Sequence, residues 1–201
     1  MSRAALAAWV GRRVTPAASS TESPWTADER ERLRSGQPLT RCSCSRTTYA
    51  GRACVLLQAS RDETWQVLDA VERFPSFFPY LTAARPLRHE LRHGVDDARY
   101  ELELTVRGRR WAYNLHQSHA PDASTLPFQL ESVDPEALLI GGEGRWTAQR
   151  WDEDWSRTLL TVLIELHTRH RVPSLVVEPL ARRALDNVVR LVASRAEALR
   201  P

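Results

Sequence analysis

Six histidines, three cysteines and four tyrosines are among the side chains of this 201-residue chain from which proton transfer or ion binding could be built, together with its arginines. His116 and His119 stand three apart in a segment that alternates like a strand. That spacing sends their side chains to opposite faces and makes them poor joint metal ligands. His167 and His170 end the last predicted strand near Glu165 and Arg169, where His167 is either a catalytic acid or base or part of a solvated strand end. Arg150 shares a predicted strand face with Trp146 and Ala148. Pointing inward it would meet a ligand carboxylate or carbonyl, and pointing outward it would meet only water. Tyr113 completes the set of proton handlers. Cys42 and Cys44 offer two thiols, but no second Cys/His pair follows at zinc-site spacing, so no metal is expected. Gly141-Gly142-Glu143-Gly144 lacks the Lys-Ser/Thr of a phosphate loop and reads as a turn. There is no Gly-x-Ser-x-Gly elbow, and no cofactor is expected. Any reaction would run by positioning and acid–base help.

The elements that must hold these groups follow from pattern. Residues 12–24 carry Pro, Ala, Ser and Thr without periodicity and read as a linker. Thr26 and Glu29 form a capping box that opens a short helix ending near Gly36. Residues 47–58 are rich in Val, Leu, Tyr and Thr and read as a first strand. Ser60 and Glu63 form a second capping box, followed by Trp65, Leu68 and Val71 on one helical face. Phe74, Phe77 and Phe78, interrupted by Pro75 and Pro79, predict a second short helix or turn.

Six strands are predicted next, over 87–92, 99–106, 110–117, 127–133, 143–151 and 158–167, joined by hairpin-length turns. With no helix between them, the sheet is an antiparallel meander. Past Pro173, Ser174 caps a helix running to about residue 199, with Leu180, Ala184, Val188, Leu191 and Val192 as its apolar stripe and Arg182, Arg183, Arg190 and Arg195 on its polar side. The fold class is α+β: a curved antiparallel sheet of about seven strands around a long C-terminal helix, with two short helices after the first strand. Residues 1–45 are expected to be an N-terminal arm, partly disordered with a short helix, and residues 46–201 one domain.

Composition narrows the partners. The chain is 42% hydrophobic, enough for one sizeable core. No apolar run approaches the roughly 18 residues of a membrane-spanning helix, so no membrane span is expected. The formal net charge is +3, with the charges spread along the whole chain, which argues against nucleic acid. All basic residues are arginine, a mark of a GC-rich genome. An odd number of cysteines fits a reducing, cytoplasmic setting. The Arg-, Ala- and Ser-rich first twenty residues also look like a transit peptide, though their apolar stretch is short for a secretory signal.

The segment Gln58-Ala59-Ser60-Arg61-Asp62-Glu63-Thr64-Trp65-Gln66-Val67-Leu68, then Phe74-Pro75-Ser76-Phe77-Phe78-Pro79, then Val172-Pro173-Ser174 leading to Leu180-Ala181-Arg182-Arg183-Ala184-Leu185, resembles the START-like (SRPBCC) superfamily, in particular its bacterial polyketide cyclase/dehydrase and lipid-transport branch. The resemblance covers about residues 47–199 and implies a helix-grip fold with an internal cavity for a small hydrophobic molecule. Alternation nominates the cavity lining as Tyr100, Leu102, Leu104, Trp111, Tyr113, Leu115, Phe128, Leu130 and Trp146. A solid core would use the same residues. Three readings stay open: a binding protein for a lipid, isoprenoid or polyketide-like molecule; a cyclase, aromatase or dehydratase using Tyr113, Arg150 and nearby histidines; and a ribosome-association or other protein-interaction module suggested by the arginines. The oligomeric state is not legible.

Overall fold

A computed structural model describes residues 25–106, 108–120, 123–151 and 154–200. The leader and the linker expected over 12–24 lie outside the described residues.

Two capping boxes start the first helices. Thr26 accepts the Glu29 amide at 3.1 Å while the Glu29 carboxylate takes the Thr26 amide at 3.0 Å, opening α1 (Ala27–Arg34). Ser60 and Glu63 repeat the exchange at 3.2 and 2.6 Å for α2 (Arg61–Asp69). The backbone amides that the two glutamates accept hold both carboxyls below the ordinary range. A 3₁₀ turn, Val71–Ser76, follows α2 and carries Pro75.

The strands are β1 (Leu39–Ser45), β2 (Thr48–Leu57), β3 (Leu81–Arg92), β4 (Val95–Val106), β5 (Arg109–His119), β6 (Thr125–Ser132), β7 (Leu139–Trp151) and β8 (Asp154–Thr168). They form one curved antiparallel sheet in the order β1-β2-β8-β7-β6-β5-β4-β3. The sheet has eight strands, where sequence alone suggested about seven. The additional one, β1, comes from the segment assigned to the arm. Its Thr, Arg and Ser residues conceal a strand whose order comes from pairing with β2, from Leu39 opposite Cys54 to Ser45 opposite Thr48. The N-terminal segment also covers the outer face: Leu33 of α1 is fully buried with Leu39, Cys54, Leu56, Trp151 and Leu159, and Arg52 lies 5.0 Å above the Trp25 ring.

The glycine-rich segment 141–144 is part of β7 and not a turn. A Cβ on Gly142 would stand 2.3 Å from the Glu165 carbonyl of β8, and one on Gly144 would stand 2.4 Å from the Leu163 carbonyl and 2.5 Å from the Phe128 ring. Only glycine permits that approach.

Helix α3 (Ser174–Glu197) crosses the inner face at the β1-β2-β8 end of the sheet. Its N-cap is Pro173, with no side-chain cap, so Ser174 opens the helix instead of capping it. Its buried stripe is Leu185, Val189, Val192, Ala193 and Ala196, while Leu180 is 59% exposed. The expected stripe shared only Val192 with this set. Apolar residues stand side by side at 184/185, 188/189 and 191/192, so periodicity alone allows two phases. Gly51 decides between them, because it opens β2 to the Leu185 side chain. Thr40 hydrogen-bonds Asp186, and Glu197 accepts the Gln58 amide at 2.8 Å, tying the helix to the start of β1 and to the residue after β2, at the open end of the β1–β2 pair.

Gly142→Ala is expected to cost roughly 1–3 kcal/mol, because the obstructing atom is backbone. Gly51→Ala should cost less, because it meets only the movable end of Leu185. Urea denaturation of the two variants checks the ranking; equal midpoints would mean that β7 has room to spare.

Candidate ligand-binding face

Because β-strands alternate, the inner face can be read as rows across the sheet. Tyr100 stands opposite Leu115, which stands opposite Leu130, and Leu130 opposite Gly142. Leu102 is opposite Tyr113, and Leu104 is opposite Trp111. Phe128 is opposite Gly144, and Leu126 is opposite Trp146. The nine residues nominated from alternation therefore share one face. Tyr100, Leu102, Tyr113, Leu115 and Trp146 are buried, while Leu104, Trp111, Phe128 and Leu130 keep part of their surface accessible. Phe78 and Phe128 touch both the cluster under α3 and the cluster on β3–β5, and so join the two halves.

Two buried phenols, Tyr100 and Tyr113, stand among these apolar groups. Burial, reinforced by the carboxylates of Glu72, Asp96 and Asp69, pushes Tyr100 up to about 12. Burial, with Asp134 nearby, also raises Tyr113. All three thiols are raised by burial, Cys54 to about 11, which leaves little thiolate for nucleophilic chemistry at neutral pH.

The inner face of β5 continues past Leu115 to Gln117 and His119, both buried. His119 Nδ1 lies 3.0 and 3.1 Å from the two carboxylate oxygens of Asp69, the last residue of α2. Desolvation raises the Asp69 carboxyl, against the pull of His119 beside it. The Trp65 ring lies 4.7 Å from that of His119, centre to centre. Trp65 Nε1 and His119 Nε2 are both enclosed and have no hydrogen-bond partner among the described residues.

The other proton handlers do not join this group. Arg150 is exposed, beside a register shift at the end of β7. His167 is 43% exposed at its side chain, 3.8 Å from Glu165, and alternation from Val162 and Ile164 puts it on the opposite face. His116 and His119 do point to opposite faces, and His116 pairs with Asp97 at 3.0 Å. Sequence reasoning passed over Trp65, Asp69 and His119 as a unit because about fifty residues separate the partners. The available signal was the β5 alternation, which continues inward through Gln117 to His119.

A family model described as polyketide cyclase / dehydrase and lipid transport matches residues 57–192. No curated protein matches by sequence. Among solved structures, the fold is similar to the Zhui aromatase/cyclase of a Streptomyces species (19% identity, TM-score 0.60, covering 75% of this chain and 94% of that one). It is similar also to a START superfamily protein from Mycobacterium smegmatis (17%, TM-score 0.62, 82% and 100%) and to a STAR-related lipid transfer protein from Xanthomonas axonopodis (15%, TM-score 0.53, 78% and 98%). At these identities the likeness shows a shared helix-grip fold.

The burial of Tyr100 is open to a direct check. The absorbance difference between wild type and Tyr100→Phe during alkaline titration should stay flat at pH 10 and develop only near pH 12. A step centred on the ordinary phenol value would mean a solvated ring.

Proposed function

Since the chain belongs to the polyketide cyclase/dehydrase and lipid-transport family, we propose that it binds a small hydrophobic molecule, a lipid, isoprenoid or polyketide-like compound, against the inner face of β4–β7. One observation carries this reading. Leu104, Trp111, Phe128 and Leu130 face inward and yet keep accessible surface. Side chains of a close-packed core would be covered, whereas apolar surface that faces inward and stays reachable is what an apolar ligand covers.

The residues divide the work by chemistry. Leu102, Leu104, Leu115 and Leu130 supply apolar area, worth about 25 cal/mol for each Å² withdrawn from water. Trp111, Phe128 and Trp146 add flat surfaces for a ring or chain. Tyr100 and Tyr113 bring hydroxyls that can orient a polar substituent without carrying charge, since both are held protonated at neutral pH. No helix of the described residues is long and apolar enough to cross a membrane. We place the protein in a reducing cytoplasm, where free Cys42, Cys44 and Cys54 persist as thiols.

Native mass spectrometry of the purified protein, followed by solvent extraction, is expected to release an apolar compound bound one to one. Leu130→Arg, which puts a charge on the inner face, should purify without it at unchanged secondary structure. Release of the same compound in equal amount from that variant would place the ligand elsewhere.

A further inference from the structure

The orphaned atoms beside the apolar face have complementary chemistry. Trp65 Nε1–H is a donor and cannot be anything else. With the proton on Nδ1, where the Asp69 carboxylate can accept it, a neutral His119 ring carries its lone pair on Nε2 and accepts there. Both atoms are enclosed without a partner among the described residues, in rings 4.7 Å apart. His119 is 9% exposed and Trp65 6%. A buried polar atom left without a partner is rare in a folded protein, and two with opposite demands in adjacent rings are rarer still.

A hydroxyl group meets both demands, because its oxygen accepts while its hydrogen donates. A carbonyl would satisfy only the tryptophan, and an ammonium only the histidine. Position ties the pair to the apolar face: His119 lies on the same side of β5 as Tyr113 and Leu115, two alternations beyond Leu115. Tyr100, across from Leu115, is close enough to Asp69 for that carboxylate to act on its phenol.

We propose that Trp65, His119 and Asp69 form a polar subsite at the end of the apolar face, which takes the hydroxyl of a phenol, enol or alcohol on an otherwise apolar ligand. In it, His119 Nε2 accepts the ligand O–H, Trp65 Nε1–H donates to the ligand oxygen, and Asp69 is a positioning residue that fixes the imidazole tautomer and ring orientation. This proposal rests on the binding reading given above. A trapped water would have the same chemistry as a ligand hydroxyl, and the test separates the two.

The probes are 2-naphthol and 2-methoxynaphthalene, which share a ring system and differ in the hydroxyl hydrogen. Calorimetric titration of the full chain should give a preference for 2-naphthol that falls about tenfold in His119→Phe, with 2-methoxynaphthalene affinity little changed. Imidazole nitrogen NMR of the wild-type protein removes dependence on how the variant folds: the His119 Nε2 resonance should move with 2-naphthol and stay put with 2-methoxynaphthalene. If both probes bind and Nε2 responds to neither, a water or nothing fills the subsite, and the proposal falls while the apolar face stands. If neither probe binds, the face does not take an aromatic ring, and the subsite falls with its premise.

Discussion

At Gly142 and Gly144 the carbonyls of β8 come so close that a methyl group would stand 2.3 and 2.4 Å away. This approach, in the middle of an eight-stranded sheet, is the constraint on which the remainder depends. With no side chain at either position, Phe128 and Leu130 of β6 stand opposite bare backbone in β7. The sheet can then close toward its own inner face without β7 filling the space. Gly51 does the same for the helix: it admits Leu185, and the buried stripe from Leu185 to Ala196 follows in register. Three glycines thus determine how near the sheet comes to itself and to α3.

The two ends of the inner face are built differently. Under α3 the core is buried and apolar: Val189, Val192 and Ala196 share one cluster with Ala53, Val55 and Leu160. This is the half that holds the fold together. Toward β4–β6 the surface is aromatic, partly accessible, and bounded by polar groups whose burial is costly. An enclosed N–H or ring nitrogen without a partner costs about 1–3 kcal/mol. Raising the Tyr100 phenol and the Asp69 carboxyl marks the same low-dielectric surroundings. Stability carried by one half lets the other keep groups that packing alone would not favour.

Much of this was legible in the sequence because local rules agree with the tertiary fold. The capping boxes at Thr26 and Ser60, the alternation along β4 and β5 and the nine residues of the inner face all express periodicities of a single element. What escaped depends on a partner far away in the chain. Polar β1 is a strand because β2 lies beside it. The phase of α3 is chosen by Gly51, over a hundred residues earlier, and the glycines of β7 look like a turn until the carbonyls of β8 are in place. Trp65, Asp69 and His119 were invisible as a group for the same reason: α2 and β5 meet only once the sheet has curled.

The central claim is that the inner face of β4–β7 is a binding surface and not merely a core. Chemical-shift mapping of the full chain during titration with 2-methoxynaphthalene tests it most directly. The account predicts that methyl and ring signals of Leu102, Leu104, Trp111, Leu115, Phe128 and Leu130 move together with one saturable affinity, while exposed Leu87, Leu91 and Leu175 stay fixed. Shifts confined to those exposed leucines, with the inner face silent, would contradict it.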